Sequence, residues 1–66
     1  MQLPRLRERR ERATLTQREL AEKAGVSRAT IASIENGGQA LGSTIRKLAK
    51  ALNCDPADLM PPENQP

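Results

Sequence analysis

The sequence predicts an all-α domain: five short helices and no strand. Three observations carry this. Ile45, Leu48, Ala49 and Leu52 recur at i, i+3, i+4 and i+7, the apolar stripe of an amphipathic helix. Thr16 and Glu19 spell the T-x-x-E capping box, and Ser27 offers a second N-cap just after Gly25. No stretch alternates apolar and polar residues with the period of two that a half-buried strand needs.

Taken in order, the first helix is expected from Leu3 to Ala13. Pro4 suits its first position, where a missing N–H goes unused. Leu3 and Leu6 are its clear core contacts, and Arg5, Arg7, Arg9, Arg10 and Arg12 crowd the rest, partly offset by Glu8 and Glu11 at i,i+4 spacing. Leu15, in the connection, is expected in the core. Thr16 then caps a second helix running to Ala24, with Leu20, Ala21 and Ala24 inward. Gly25 falls where a left-handed residue ends a helix, and Val26 plugs the corner. Ser27 caps a third helix, Arg28 to about Asn36, with Ile31 and Ile34 inward. Asn36, Gly37 and Gly38 open a loop to about Gly42, and Ser43 is expected to start the fourth helix. Asn53 fits its left-handed C-cap. Asp55-Pro56 reads as a cap followed by proline at the first position of a short fifth helix to about Met60, stopped by Pro61-Pro62. The domain is thus placed at residues 1–60, and 61–66, PPENQP, reads as a disordered tail or linker.

Size and composition narrow the possibilities. Sixty-six residues without Phe, Tyr or Trp allow one small aliphatic core, with a net stability of about 3–5 kcal/mol. Dimerisation would add to it. One cysteine and no histidine exclude an intrachain disulfide and argue against a zinc site. No apolar run approaches the roughly 18 residues that span a bilayer, and no apolar signal core follows the basic N-terminal stretch. A cytoplasmic protein is therefore expected. The net charge of +3 is uneven: all 11 Lys and Arg lie in residues 1–52 beside five Glu, while Asp55, Asp58 and Glu63 follow. A basic body suits a polyanion, although a soluble protein with charged faces would share that balance. Missing aromatics count against readers of RNA and single strands, which stack bases on rings.

The second and third helices and their tight turn, Gln17 to Asn36, read as a helix-turn-helix, whose second helix can enter the major groove of DNA. With this order of elements, the chain resembles the lambda-repressor-like family, the phage repressor and Cro type also called the XRE family. The resemblance rests on LTQRELAEKAGVS at 15–27, IENG at 34–37, KLAKAL at 47–52 and DPADLM at 55–60, and covers roughly residues 5–60. It implies a compact five-helix domain that binds double-stranded DNA. It also implies that Gln17 bonds a phosphate, that Arg28, Ala29 and Ser33 meet bases, and that Arg10 pairs with Glu35 near the DNA backbone. The sequence departs from the family pattern in four places. Arg9 replaces a common apolar residue, Thr14 a common glycine, and the loop 38–42 lacks the usual basic residues and proline. Leu41 stands in for a leucine usually found near Gly42.

Each candidate also has a plainer reading. Arg28 can take O6 and N7 of a guanine, a pair that discriminates by about 1–3 kcal/mol, or meet only phosphate and water. Ala29 can touch a thymine methyl or be a neutral helix former. Thr30 and Ser33 can reach a base or phosphate, or bond back to helix carbonyls. Asn36 fits a phosphate contact or a helix end better than a base contact. Ser27 caps beside the phosphates. Arg18 is a phosphate contact or a solvated side chain. The Arg10–Glu35 pair, read as a surface pair, would add about 0–1 kcal/mol and serve to orient the arginine. Cys54 reads as a small core residue rather than a redox sensor, since nothing near it in sequence favours a thiolate; Leu59 reads as core, and Met60 as core or dimer patch. Arg46, Lys47 and Lys50 read as a wet face, with the DNA backbone as the alternative for Arg46.

These readings point to a sequence-specific transcriptional regulator, a repressor by the commoner family outcome. It would bind a double-stranded operator as a homodimer, with recognition helices about 34 Å apart. The alternative is a protein-interaction module of the same fold that has lost DNA binding, such as an antitoxin or adaptor. The uncharged loop and the small-residue face allow it. An enzyme is the poorest option, since there is no histidine base and the carboxylates sit at exposed helix positions. No cofactor and no metal are expected.

Overall fold

The computed structural model describes residues 1–61; the expected tail thus lies, apart from Pro61, outside the described residues. Among them are four α-helices: α1 (Leu6–Arg12), α2 (Gln17–Ala24), α3 (Arg28–Glu35) and α4 (Gly42–Ala51). A single 3₁₀ turn, Pro56–Asp58, follows. The expectation of a fifth α-helix is therefore corrected. The bonds there are short-range, Leu59 N–H to Pro56 O at 3.0 Å and Met60 N–H to Ala57 O at 3.3 Å. Pro61 has no N–H to give Ala57 the i→i+4 bond that an α-helix would require, and it disfavours helical backbone at Met60.

The core is one aliphatic cluster drawn from all four α-helices and the segments that flank them. Leu3, Leu6, Leu20, Ile31, Leu48 and Leu59 are the largest fully buried side chains. Ile34, Ile45, Ala21, Ala40, Ala49 and Ala51 complete it, and Leu15, Ala24, Val26, Leu52, Cys54 and Met60 pack on its edge. α2 packs on α3 and on α4, α1 touches α3, and the 3₁₀ turn packs on α4. Met60, left open by the sequence, lies half-buried against this core. No helix of the described residues is long and apolar enough to cross a membrane.

All four helices stop in the same way. In each, the residue that follows the left-handed one donates to the carbonyl five residues before it: Leu15 to Arg10, Val26 to Ala21, Gly38 to Ser33 and Cys54 to Ala49, at 2.8–3.1 Å. This is the Schellman pattern, which needs a left-handed residue just past the cap. Those residues are Thr14, Gly25, Gly37 and Asn53, and they are the positive-φ residues of the described chain. Gly25 and Asn53 thus do what their sequence positions imply.

Two helix starts differ from expectation. α1 begins at Leu6, not Leu3, because residues 3–6 form a tight turn with Leu6 N–H on Leu3 O at 3.1 Å, while Arg5 N–H turns away to Leu59 O at 3.4 Å. α4 begins at Gly42, one residue before Ser43, and no side chain caps it. Leu41 does not replace the family's leucine, since it is 75% exposed. Ala40 is buried in its stead, tied to the N-terminal segment by its N–H on Met1 O at 2.7 Å.

Thr14 accepts the left-handed turn, at φ 56°. A β-branched residue is strained there, where an L-residue pays about 1–2 kcal/mol. Thr14→Gly is expected to raise stability by about 1 kcal/mol, net of glycine's greater unfolded-state entropy. Urea unfolding at neutral pH measures it; an unchanged or lowered midpoint contradicts the strain.

Candidate nucleic-acid interface

The site grows from how α3 is held. At its N-terminus Ser27 Oγ accepts from Thr30 N–H at 3.1 Å, and the two hydroxyls lie 2.7 Å apart. Just before it, Gly25 at φ 74° turns the chain sharply enough for α2 and α3 to pack together. α2 itself starts in a complete capping box: Thr16 Oγ1 accepts from Glu19 N–H at 3.0 Å, and Glu19 accepts from Thr16 N–H at 2.8 Å. With Ile31 and Ile34 facing the core, helical periodicity turns Arg28, Ala29 and Ser33 outward, and all three are exposed.

The other end of α3 is fixed by charge. Arg10, from α1, donates from Nε to Glu35 Oε2 at 2.6 Å and from Nη2 to Glu35 Oε1 at 3.1 Å. Its Nη1 donates to Leu15 O at 2.9 Å. Glu35 Oε1 accepts a further bond from Gln17 Nε2 at 3.1 Å. The Arg10 and Glu35 side chains are only 11% and 5% exposed. The reading of this pair as a surface contact is thus corrected: it is a partly buried, two-bond pair. The Arg10 head points inward, so its place is that of a support for α3. Burial pushes the Glu35 carboxyl up, but the bonds from Arg10 and Gln17 and the charges of Arg10 and Arg7 outweigh it and hold Glu35 below its ordinary value. Arg10 is raised, chiefly by its bond to Glu35.

The remaining candidates separate by what their polar atoms already do. Gln17 is half-buried with one amide N–H spent on Glu35, and its second amide hydrogen has no partner among the described residues. Thr30 is half-buried and bonded to the cap hydroxyl, so its back-bonding runs to Ser27 rather than to a helix carbonyl. Asn36 is the exposed C-cap of α3. Arg18 pairs loosely with Glu22 at 3.8 Å, both well exposed. Arg9 reaches Asp58 at 3.6 Å, which explains how a charged residue sits in that position of α1. The pairing of Gln17 with Glu35 has no signal in the sequence, since 18 residues separate them.

Away from this face, Cys54 packs on the core edge. Burial pushes its thiol above the ordinary value, with Arg9 opposing and Asp58 and Asp55 adding to the rise. A raised thiol is poor in thiolate, which disfavours a redox role. No group of three or more His, Cys, Asp or Glu side chains among the described residues is placed to hold a metal ion.

A helix-turn-helix family profile matches residues 6–59. The chain is similar to the restriction-modification controller protein C.AhdI from Aeromonas hydrophila: 36% identity over 86% of this chain and 88% of that one, with a TM-score of 0.80. It is also similar to the P22 c2 repressor, whose crystal structure holds a synthetic operator: 33% identity over 91% of this chain and 96% of that one, with a TM-score of 0.79.

Removing one partner of this partly buried pair strands the other. Glu35→Ala is expected to cost about 1.5–3 kcal/mol, a large share of the stability of so small a domain, while Arg10→Met with Glu35→Leu should recover most of the loss. Urea titration of the single and double variants tests this; equal destabilisation in both contradicts it. The pH dependence has a definite sign. Because the folded-state Glu35 carboxyl lies below its ordinary value, its contribution is complete above about pH 4.3 and is lost as pH falls through the folded value. Thermal melts from pH 7 to pH 2 should show this acid limb, and Glu35→Gln should flatten it.

Proposed function

The chain belongs to the lambda-repressor-like helix-turn-helix family, and from that membership we propose that it is a sequence-specific, double-stranded-DNA-binding transcriptional regulator of the repressor type. One observation carries the reading: α3 is a short helix fixed at both ends, whose outward face is small and uncharged except for Arg28. A solvated face has no need to be narrow, whereas a groove does. Arg28 reads a guanine through O6 and N7, Ala29 meets a thymine methyl, and Ser33 contacts a base edge. Gln17 places its free amide hydrogen on a phosphate near the start of α2, where the helix end favours an anion. Asn36, Ser27, Thr30 and Arg18 serve the backbone around them. Arg10 acts through Glu35 and touches no DNA.

Two copies of the chain bind a two-fold operator, their α3 helices about one helical turn, some 34 Å, apart. Blocking a promoter in the cytoplasm is the output that the family relationship favours. A second reading has one observation in its favour: residues 37–42 carry no charge where a phosphate-binding loop would carry several. On that reading the same face binds a protein.

The experiment is selection of bound duplexes from a random pool, followed by titration of the best one. Affinity should fall linearly with the logarithm of salt concentration. Arg28→Ala should cost about 1–3 kcal/mol on the selected duplex and erase the guanine preference at one position per half-site. A pool that yields no consensus, with binding indifferent to salt, sinks this function and leaves the protein-interaction reading.

A further inference from the structure

Gly38 has a place that the helix-turn-helix reading does not explain. Three of the four helix ends put an apolar side chain on the core at the residue after the left-handed one: Leu15, Val26 and Cys54. This contact normally accompanies the Schellman bond and locks it. α3 is the exception, since Gly38 has no side chain to offer. Its backbone is instead pressed onto the last turn of α3. A Cβ at residue 38 would lie 2.6 Å from Ser33 Oγ, 2.7 Å from Ser33 O and 3.1 Å from Ser33 C. Two of those three atoms are backbone and have no rotamer by which to escape. The Gly38 N–H meets the same carbonyl at 2.8 Å.

The missing apolar lock is replaced from outside. Gln2 Nε2 donates to Gly37 O at 3.0 Å, and Ala40 N–H donates to Met1 O at 2.7 Å. The N-terminal segment thereby holds the loop on the end of α3 from a distance of 35 residues or more.

We propose that Gly38 is a positioning residue for the reading face: its bare Cα, held down through Gln2, sets where Ser33 and Asn36 stand relative to Arg28. The DNA arm of this inference rests on the proposed function; the structural arm does not. Any side chain at 38 must either lift the loop or shift the last turn of α3. Arg28 stays in place, because its end of the helix is fixed separately by Ser27 and by packing on α2. The effect is therefore polar along the helix. The C-terminal half of the face moves and the N-terminal half does not.

Gly38→Ala and Gln2→Ala test this in the full chain. In the free protein, backbone amide resonances from Ser33 to Gly37 should shift in both variants, more in Gly38→Ala, while those from Arg28 to Ile31 stay within the spread seen for remote residues. On the selected duplex, Gly38→Ala should weaken binding about tenfold and flatten the preference at the base pair that Ser33→Ala also flattens. The guanine preference lost in Arg28→Ala should survive, and Gln2→Ala should do the same to a smaller extent. Resonances that move equally at both ends of α3, or not at all, overturn the proposal, as does global unfolding of Gly38→Ala. If Ser33→Ala changes no base preference, it is the base-reading role of Ser33 that fails, and the resonances still decide whether Gly38 positions it.

Discussion

Arg10 sits at the junction of three elements, and the rest of the structure depends on how its guanidinium is spent. Both Glu35 oxygens and the Leu15 carbonyl receive its hydrogens, and Gln17 closes the circuit from the start of α2. A partly buried pair of this kind gives little net stability, because desolvating two charges offsets most of their attraction. It contributes direction. Apolar packing tolerates small slides and rotations of one helix over another; a two-bond fork with fixed donors does not. An all-aliphatic core of this size has no aromatic wedge to set helix angles, so the fork takes over that task for α3.

The consequence is a short helix that behaves as a rigid one. Eight residues in isolation would not hold a helix in water. α3 holds because each end is satisfied by different chemistry: a hydroxyl cap and α2 packing at Arg28, and the Glu35 fork with the Gly37–Gly38 turn at the far end. On the proposed function this rigidity has a direct use. Side chains and backbone already in place lose less entropy on binding, so more of each contact appears as affinity.

What was legible in the sequence was local. Thr16–Glu19, Ser27, Gly25 and Asn53 announce helix ends through bonds that span three to five residues, and each does what its position implies. The outward face of α3 followed from the spacing of Ile31 and Ile34. The illegible part was long-range. Nothing near Leu41 reveals that Ala40 is the residue taken inside, because the partner that fixes Ala40 is Met1. The start of α1 at Leu6 is hidden for the same reason, since Arg5 N–H is taken by Leu59 O from the far end of the domain. The Arg10–Glu35 pair was visible as a pair through the family resemblance, but its burial was not, for burial depends on how α1 crosses α3. Gln17 looked free and is half committed.

The distribution of charge bears on how such a face could select a sequence. Arg7, Arg9, Arg12 and Arg18 lie in ion pairs with Glu11, Asp58, Glu8 and Glu22, all partly or well exposed. Exposed pairs are weak, about 0–1 kcal/mol, so phosphates could displace the carboxylates at little cost, and attraction to a duplex is not limited by them. Selectivity is the scarcer quantity. On the proposed function Arg28 is the one long charged reader on the face of α3, worth about 1–3 kcal/mol at a guanine, among side chains too short for a second bidentate contact. Specific binding typically exceeds non-specific binding by about 4–10 kcal/mol, which one such half-site cannot reach. Two half-sites read together come closer, and DNA deformability at untouched base pairs adds to them. On the proposed function a face this small would need a second copy on the operator, and the placement of Ser33 would weigh more than that of a serine in a face crowded with long polar readers.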